Sequence, residues 1–414
     1  MSELAAGAQV GCTPLPAIDR AAFAAELSAL RKELLADLGP ADLAHLKRME
    51  SWGRLCTLIG YAMAWIPFNP LAVLLIGLGN VARWTMVTHH VMHRGYDKVP
   101  GTPARLTSAH YAQGWRRWLD WPDWMDPAAW AYEHNHLHHF HTGEVDDPDL
   151  VEHNAWLLRL KALPRPLKWL LVAVLMLTWK LSYYAPNTLW ALQQRQLQKG
   201  RAADTPPLPT PGNVWRLLYP GERLLLPVTR RALAFWARCV APYALLRFGL
   251  VPALFLPLGS WAWAAVLLNS LLAELYANVH AFVIIVPNHA GDDLWRFEGH
   301  ARDRPEYYLR QVVGSVNYPG GRDQPDFLMG YLNYQIEHHL WPDLPMLKYR
   351  QAAPRVKAIC ARHGVPYVEE SVWTRFARLW AILMGDASMR RAPSEPAARH
   401  PADQLGDPVE AKAA

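Results

Sequence analysis

Apolar positions are spread unevenly along the chain. Nearly uncharged stretches alternate with arms dense in Arg, Glu and His. Residues 50–66 (ESWGRLCTLIGYAMAWI) and 71–88 (LAVLLIGLGNVARWTMVT) are predominantly apolar and flank the sequence Pro67-Phe68-Asn69-Pro70. A bilayer is crossed by about 20 mostly apolar residues at ~1.5 Å each. One helix from 50 to 88 is too long for that, and two prolines interrupt it. The pattern therefore predicts a hairpin of two membrane helices. A second pair is predicted at roughly 236–256 and 261–287, about the turn Pro257-Leu258-Gly259-Ser260. Arg247, inside this pair, must face protein or water. Residues 169–179 (WLLVAVLMLTW), between Lys168 and Lys180, are too short for a span and read as an interfacial or buried helix.

The remaining segments complete the layout. Residues 198–222 form a Pro- and Gly-rich connector, residues 371–384 are amphipathic, and the tail from about 386 has little to bury. The expected divisions are a cytoplasmic arm at 1–49, a membrane domain at 50–370, and an amphipathic helix with a disordered tail at 371–414. The expected fold is all-α. Four transmembrane helices in two hairpins carry a His-rich helical cap. The turns at 67–70 and 257–260 lack Lys and Arg, whereas Arg31, Lys32, Lys47, Arg48, Arg94, Lys98, Arg116 and Arg117 lie on the arms. The positive-inside rule then puts both termini and the cap in the cytoplasm, in a bacterial cytoplasmic (inner) membrane.

Composition sharpens this picture. Of the 414 residues, 51% are hydrophobic and 19% charged, which excludes a disordered chain or a coiled coil. Twenty Trp and 16 Tyr suit long membrane–water borders. The net charge of +6 suits anionic headgroups. The basic residues border the predicted spans and form no separate patch, so no nucleic-acid role is expected. The four cysteines are scattered with no CxxC, which argues against a disulfide framework or a cysteine zinc site. The N-terminus lacks a basic start followed by an apolar core, so no cleaved leader is expected.

The candidate chemistry lies in the histidines. Eleven of the 18 fall in four short stretches, each just beyond a predicted span or on the arms. THHVMHRGYD holds His89, His90 and His93. YEHNHLHHFHTGEVDDPD holds His134, His136, His138, His139 and His141. NHAGDD holds His289, and YLNYQIEHHLWPDLP holds Gln335, His338 and His339. Residues three or four apart share a helical face, so one helix can offer two nitrogens to one metal. Imidazole suits Fe, Zn and Cu. A set of about eight His exceeds one tetrahedral zinc and suits two metals close together. The expected metal ligands are His89, His93, His134, His138, His139, His289, His338 and His339, with Gln335 a weaker ninth. His90, Asp147, Asp149 and Glu337 are expected to support them by hydrogen bonding. His280 reads as a hydrogen-bonded core residue, and His110, His153, His300 and His363 as ordinary polar residues.

At these residues the chain resembles the membrane fatty acid desaturase family. Its three ordered histidine boxes match His89/His93, His134/His138/His139 and Gln335/His338/His339. The tract QIEHHLWP resembles the third box of front-end desaturases, in which Gln takes the first His position. His289 resembles the family's additional ligand. The likeness covers roughly residues 50–350. It implies a non-haem di-iron centre, O2 as co-substrate, and a fatty acyl substrate borne by a lipid or an acyl carrier. An HPGG haem signature is absent from the sequence, so electrons are expected from a separate ferredoxin or reductase. His90 stands where the family often has Asp, and the second box has the longer spacing.

Other readings remain open at this level. The same centre in a lipid hydroxylase or acetylenase would differ only in how the chain lies against the metal. A zinc-dependent membrane lipid hydrolase would need about three protein ligands and one water. In a non-enzymatic scaffold the histidines would be incidental.

Overall fold

Asn69 and Pro70 start one of the long helices. The Asn69 side chain accepts the N–H groups of Leu71 and Ala72 at 3.1 and 3.2 Å, and Pro70 supplies a pre-set first turn. The computed structural model describes residues 12–199 and 221–392, and they are mostly helical. Helix α1 is Arg20–Ala36, α2 is Pro40–Met63 and α3 is Pro70–Met92. Helix α4 covers residues 127–141 and α5 residues 165–199. Helix α6 is Arg230–Leu258, and α7 is Ser260–His289. The remaining long or site-bearing helices are α8 (Arg304–Val313), α9 (Gln335–Leu340), α10 (Met346–His363) and α11 (Val372–Met384).

Helices α2, α3 and α7 pack closely because small residues line their contacts. A Cβ at Gly79 would lie 2.0 Å from Thr57 Oγ1, and one at Gly77 would lie 2.3 Å from the Tyr276 ring. The α2–α3 turn is latched from α7. Asn269 Nδ2 donates to the carbonyls of Ala64 and Ile66 at 2.8 and 2.9 Å, and its Oδ1 accepts the Asn69 N–H at 3.0 Å.

Among the described residues, α3, α6 and α7 are long and apolar enough to cross a membrane. The expected first span, 50–66, is part of a longer helix that begins at Pro40. Its first half carries Asp42, Lys47 and Arg48 and is too polar to count as a span. Helix α2 runs across the expected division at 49/50. The expected N-terminal arm is also part of the folded body. Phe23, Leu27, Leu30 and Leu34 of α1 are buried where the helix packs on α8 and α10. Residues 169–179 belong to the longer α5. Trp169, Leu170 and Val174 are exposed there, which excludes the fully buried alternative. Arg247 faces protein, its guanidinium 5.3 Å from the Tyr61 ring.

The amphipathic segment 371–384 forms α11, and its apolar side docks on the body through Leu379, Ile382 and Leu383. Arg375 is fully buried and pairs with Asp293 at 2.7 Å. The expected disordered tail is ordered at its start. Residues Arg390–Ala392 form strand β2, parallel to strand β1 (Trp295–Phe297), with Trp295 opposite Arg390. Backbone pairing and the burial of Met389 hold this segment, neither of which the apolar pattern announces. Most of the connector 198–222 and the rest of the tail lie outside the described residues.

Candidate metal centre

Four helices bring the histidines together. His89 and His93 sit four residues apart at the end of α3, just after a π-helical stretch at Arg83–Thr88. Helix α4 starts at Asp126, whose carboxylate accepts the Ala129 N–H at 3.0 Å, and passes through a second π-helical stretch at Glu133–His138. The wider i→i+5 turn puts residues four and five apart on either side of a common face. His138 and His139 thus straddle His134. His289 ends α7. Helix α9 presents Gln335, His338 and His339, and Asn317 Oδ1 fixes its start by accepting the Ile336 N–H at 2.9 Å.

All eight expected histidines are drawn into two groups. His89, His93, His134, His139 and His338 form one; His138, His289 and His339 form the other. Within each group the ligand atoms lie within 4.8 Å of one another. The Nε2 atom of His89 lies 2.9 Å from that of His338 and 3.0 Å from that of His134. Gln335 joins the smaller group, its amide 2.9 Å from His289 Nε2 and 3.2 Å from His339 Nε2. The adjacent pairs His138/His139 and His338/His339 are each split between the groups, so α4 and α9 both bridge them.

An outer ring of acceptors fixes the imidazoles. His138 Nδ1 donates to Asp147 Oδ1 at 2.9 Å. His339 Nδ1 donates to Thr142 Oγ1 and Gln311 Oε1 at 3.0 and 3.1 Å, while the Thr142 hydroxyl donates to the His138 carbonyl at 2.7 Å. His338 Nδ1 lies 3.3 Å from Tyr349 OH, whose own proton goes to the Pro342 carbonyl at 2.9 Å. Each contact puts the proton on Nδ1 and leaves the Nε2 lone pair facing inward. Thr142, Gln311 and Tyr349 carry no sequence signal for this role, because two of them come from distant elements.

The electrostatics suit ligation. Burial, reinforced by neighbouring imidazoles, holds His134, His139, His338 and His339 well below the usual histidine range. That favours the neutral imidazole, the form that binds metal. Burial also disfavours charge on His138, but Asp147 overcomes this and raises its pKa. Several nitrogens lack any partner in the protein: His93 Nε2 and both ring nitrogens of His139 are buried and unpaired. Buried polar atoms are normally satisfied, so the donor set fits a transition-metal cation.

The expected supporting residues divide. Asp147 contacts His138 as described. Asp149 lies within reach of His134 and His138, and burial pushes its carboxyl up to about 6. His90 lies outside both groups, its Nδ1 donating to the Met86 carbonyl at 3.0 Å. Glu337 corrects the expectation. It accepts from Asn317 Nδ2 at 2.8 Å and Tyr367 OH at 3.0 Å. Two residues beyond Gln335 on a helix is the opposite face, so it turns away from the histidines. His280 is hydrogen-bonded as expected, to Tyr276 OH and the Leu328 carbonyl at 3.1 and 2.8 Å. His300, read as ordinary, lies 5.1 Å from His141 between ring centroids.

A cavity of about 290 Å³ opens beside the cluster. His89, His134, His138, His289 and Gln335 form one wall. Trp84, Trp179, Tyr184 and Phe282 form an aromatic cage, with Trp179 and Tyr184 stacked at 5.4 Å. Leu171, Leu175 and Leu383 line the rest, so α5 and α11 both contribute. The space is mostly apolar and limited at one side by side chains that could hold a metal.

Comparison with known proteins agrees with this arrangement. The model of the fatty acid desaturase family matches residues 63–371. The chain is similar to the NADPH-dependent stearoyl-CoA 9-desaturase of Mycobacterium tuberculosis, 24% identical over 368 residues that cover 87% of this chain and 78% of that protein. It is 57% identical over 42 residues to fatty acid desaturase 3 of Bos taurus, 10% of each chain. It is 33% identical over 95 residues to delta(8)-fatty-acid desaturase 2 of Arabidopsis thaliana, covering 23% of this chain and 20% of that one. With the family match spanning most of its length, including every histidine of both groups, this chain belongs to the fatty acid desaturase family.

Proposed function

We propose that the chain is an O2-dependent fatty acyl desaturase whose two histidine groups hold two iron ions. His89, His93, His134, His139 and His338 would bind one, and His138, His289, His339 and Gln335 the other. The carrying observation is that eight buried imidazoles in two adjoining groups border one apolar cavity. Eight nitrogens exceed what one tetrahedral zinc takes, which disfavours the hydrolase reading. Metals held there would, with O2 and two electrons, supply the oxidising chemistry that removes hydrogen from two adjacent methylenes of an acyl chain.

The protein's own work is geometric. Leu171, Leu175 and Leu383 take up the methylene chain, and the cage of Trp84, Trp179, Tyr184 and Phe282 excludes water and bends it. Asp147, Thr142, Gln311 and Tyr349 hold imidazole orientation, so that the ligand set keeps its shape between turnovers. The apolar second half of α2 supplies a fourth span beside α3, α6 and α7. Leu55, Leu58 and Ile59 are exposed there. The histidine cap and both termini face the cytoplasm of a bacterial inner membrane. The mycobacterial relative is named for NADPH and stearoyl-CoA. A CoA-borne saturated chain, with a separate nicotinamide-fed donor protein, is therefore the first pair to offer.

The test is a mass-spectrometric acyl profile of cells expressing the protein beside a His139→Ala control. A chain lighter by two hydrogens, absent from the control, is expected. A chain heavier by one oxygen would make the enzyme a hydroxylase on the same centre. Purified protein holding a single zinc, and no iron after iron loading, would overturn the reading.

A further inference from the structure

Arg83 lies inside α3, at the first residue of its π-helical stretch. Among the described residues its guanidinium makes no ion pair and no hydrogen bond. A charged side chain within a span is costly unless it meets a partner or a watery cavity. Arg83 meets a cavity. A polar pocket of about 150 Å³ lies between α2, α3 and the segment 111–120, lined among others by Glu50, Arg54, Arg83, Tyr111 and Asp120. It shares no lining residue with the cavity beside the histidines. Gly53 and Gly79 let α2 and α3 close together at its wall; a Cβ on Gly53 would lie 2.8 Å from the Ala82 Cβ.

The carboxylates of this pocket are already engaged. Glu50 Oε1 accepts Arg54 Nη2 at 2.6 Å, and Arg105 donates to both Glu50 oxygens at 3.0 and 3.1 Å. Asp120 accepts Arg116 Nε and Nη2 at 3.0 and 2.8 Å and the Ala112 N–H at 3.0 Å. Four arginines are thus set around two carboxylates, and Arg83 alone among the four has no partner. The paired N–H donors of a guanidinium match two oxygens of a phosphate. Trp115 and Leu119, on the segment that closes the pocket, are 71% and 62% exposed, and Leu55 and Leu58 of α2 are exposed too. Exposed Trp and Leu beside basic side chains mark a membrane–water border, the depth at which lipid phosphates lie.

We propose that this pocket binds the phosphate of a membrane-lipid headgroup, with Arg83 as its principal ligand and Arg54 as its second. Glu50 keeps Arg105 when Arg54 turns to the phosphate. Arg83 begins the stretch of α3 that leads to His89, so a lipid held here steadies the helix end that carries the first two histidines. The inference rests on the membrane reading of α2 and α3, and not on which metal the histidines hold.

The full chain, purified in detergent and stripped of lipid, is titrated with dioleoyl phosphatidylglycerol, dioleoylglycerol or CoA while its thermal midpoint is followed. Phosphatidylglycerol is expected to raise the midpoint, and dioleoylglycerol, which lacks the phosphate, to leave it unchanged. Arg83→Gln should need about tenfold more phosphatidylglycerol for the same rise. Arg83→Lys, which keeps the charge without the paired donors, should need less than that. Without lipid, Arg83→Gln should unfold at the wild-type midpoint, since the side chain has no partner to lose. Lys98→Gln, which changes an exposed cap residue outside the pocket, should respond to lipid as the wild type does. An unchanged response in Arg83→Gln overturns the proposal, and so does an equal loss in Lys98→Gln, which would mark general surface charge. A lower lipid-free midpoint in Arg83→Gln also overturns it and assigns the side chain to structure. A rise with CoA that depends on Arg83, and none with phosphatidylglycerol, would keep the phosphate chemistry but overturn the lipid as its source.

Discussion

Two buried polar clusters both border Trp84, and they are built on opposite terms. In one, Lys180 pairs with Asp123 at 2.7 Å and with Glu274 at 3.4 Å. Trp124 Nε1 and Tyr243 OH each donate to Glu274 at 2.8 Å, which completes the set. Lys180 Nζ lies 5.7 Å from the Trp84 ring. In the other, His89 shares the Trp84-lined cavity with His134, His138 and His289, and His93 and His139 keep buried nitrogens unpaired. The first cluster satisfies itself and serves structure. The second is incomplete until something positive enters, which is the mark of a binding centre.

That contrast can be broken in measurable steps. The largest effect is expected at the histidines. His138→Ala or His338→Ala should abolish desaturation and lower the bound metal, while the protein still inserts and unfolds at a near-normal midpoint. Normal turnover in His138→Ala would remove the contrast altogether. Next, Lys180→Ala strands two buried carboxylates and should cost about 3–5 kcal/mol of stability, read from unfolding in detergent, with metal content kept. Metal loss without destabilisation would show that the two clusters are one. Asp147→Asn should weaken metal binding or activity by about 10–100-fold, since it removes the charge that orients His138. The smallest effect is expected for Tyr349→Phe. Its long contact to His338 is worth about 0.5–1.5 kcal/mol, a few-fold in metal affinity and little in stability.

The histidines of the centre were legible because their chemistry is written locally. Three- and four-residue spacings at helix ends identify His89, His93, His338 and His339 without tertiary knowledge. Their division into two groups was not legible. It depends on the π-helical stretch at Glu133–His138, which sends His139 to the side of His134 and His138 to the other. Nor did local pattern reveal His300, which meets His141 only after β1 aligns with the loop at Gly143. The apolar runs marked α3, α6 and α7 well, because hydrophobic length alone defines a span. They marked only the second half of α2 and did not announce α1. One helix there begins in the polar cap and ends against apolar neighbours, and the other is a short amphipathic helix whose partners lie about 300 residues away. Glu337 was misjudged because closeness in sequence says nothing of helical face.

The wide separation of the ligand groups along the chain bears on the order of synthesis. Each group draws on residues far apart in the chain, from His89 to His338 in one and from His138 to His339 in the other. Neither is complete while the ribosome is still making α7, although all of α2 and α3 has by then been made. The cavity wall waits longer still, for Leu383 on α11, and the strand that follows seals α11 against β1. Membrane insertion therefore runs ahead of site assembly. A nascent chain held short of residue 335 would be inserted but chemically mute, and loading of the centre would be a post-translational event.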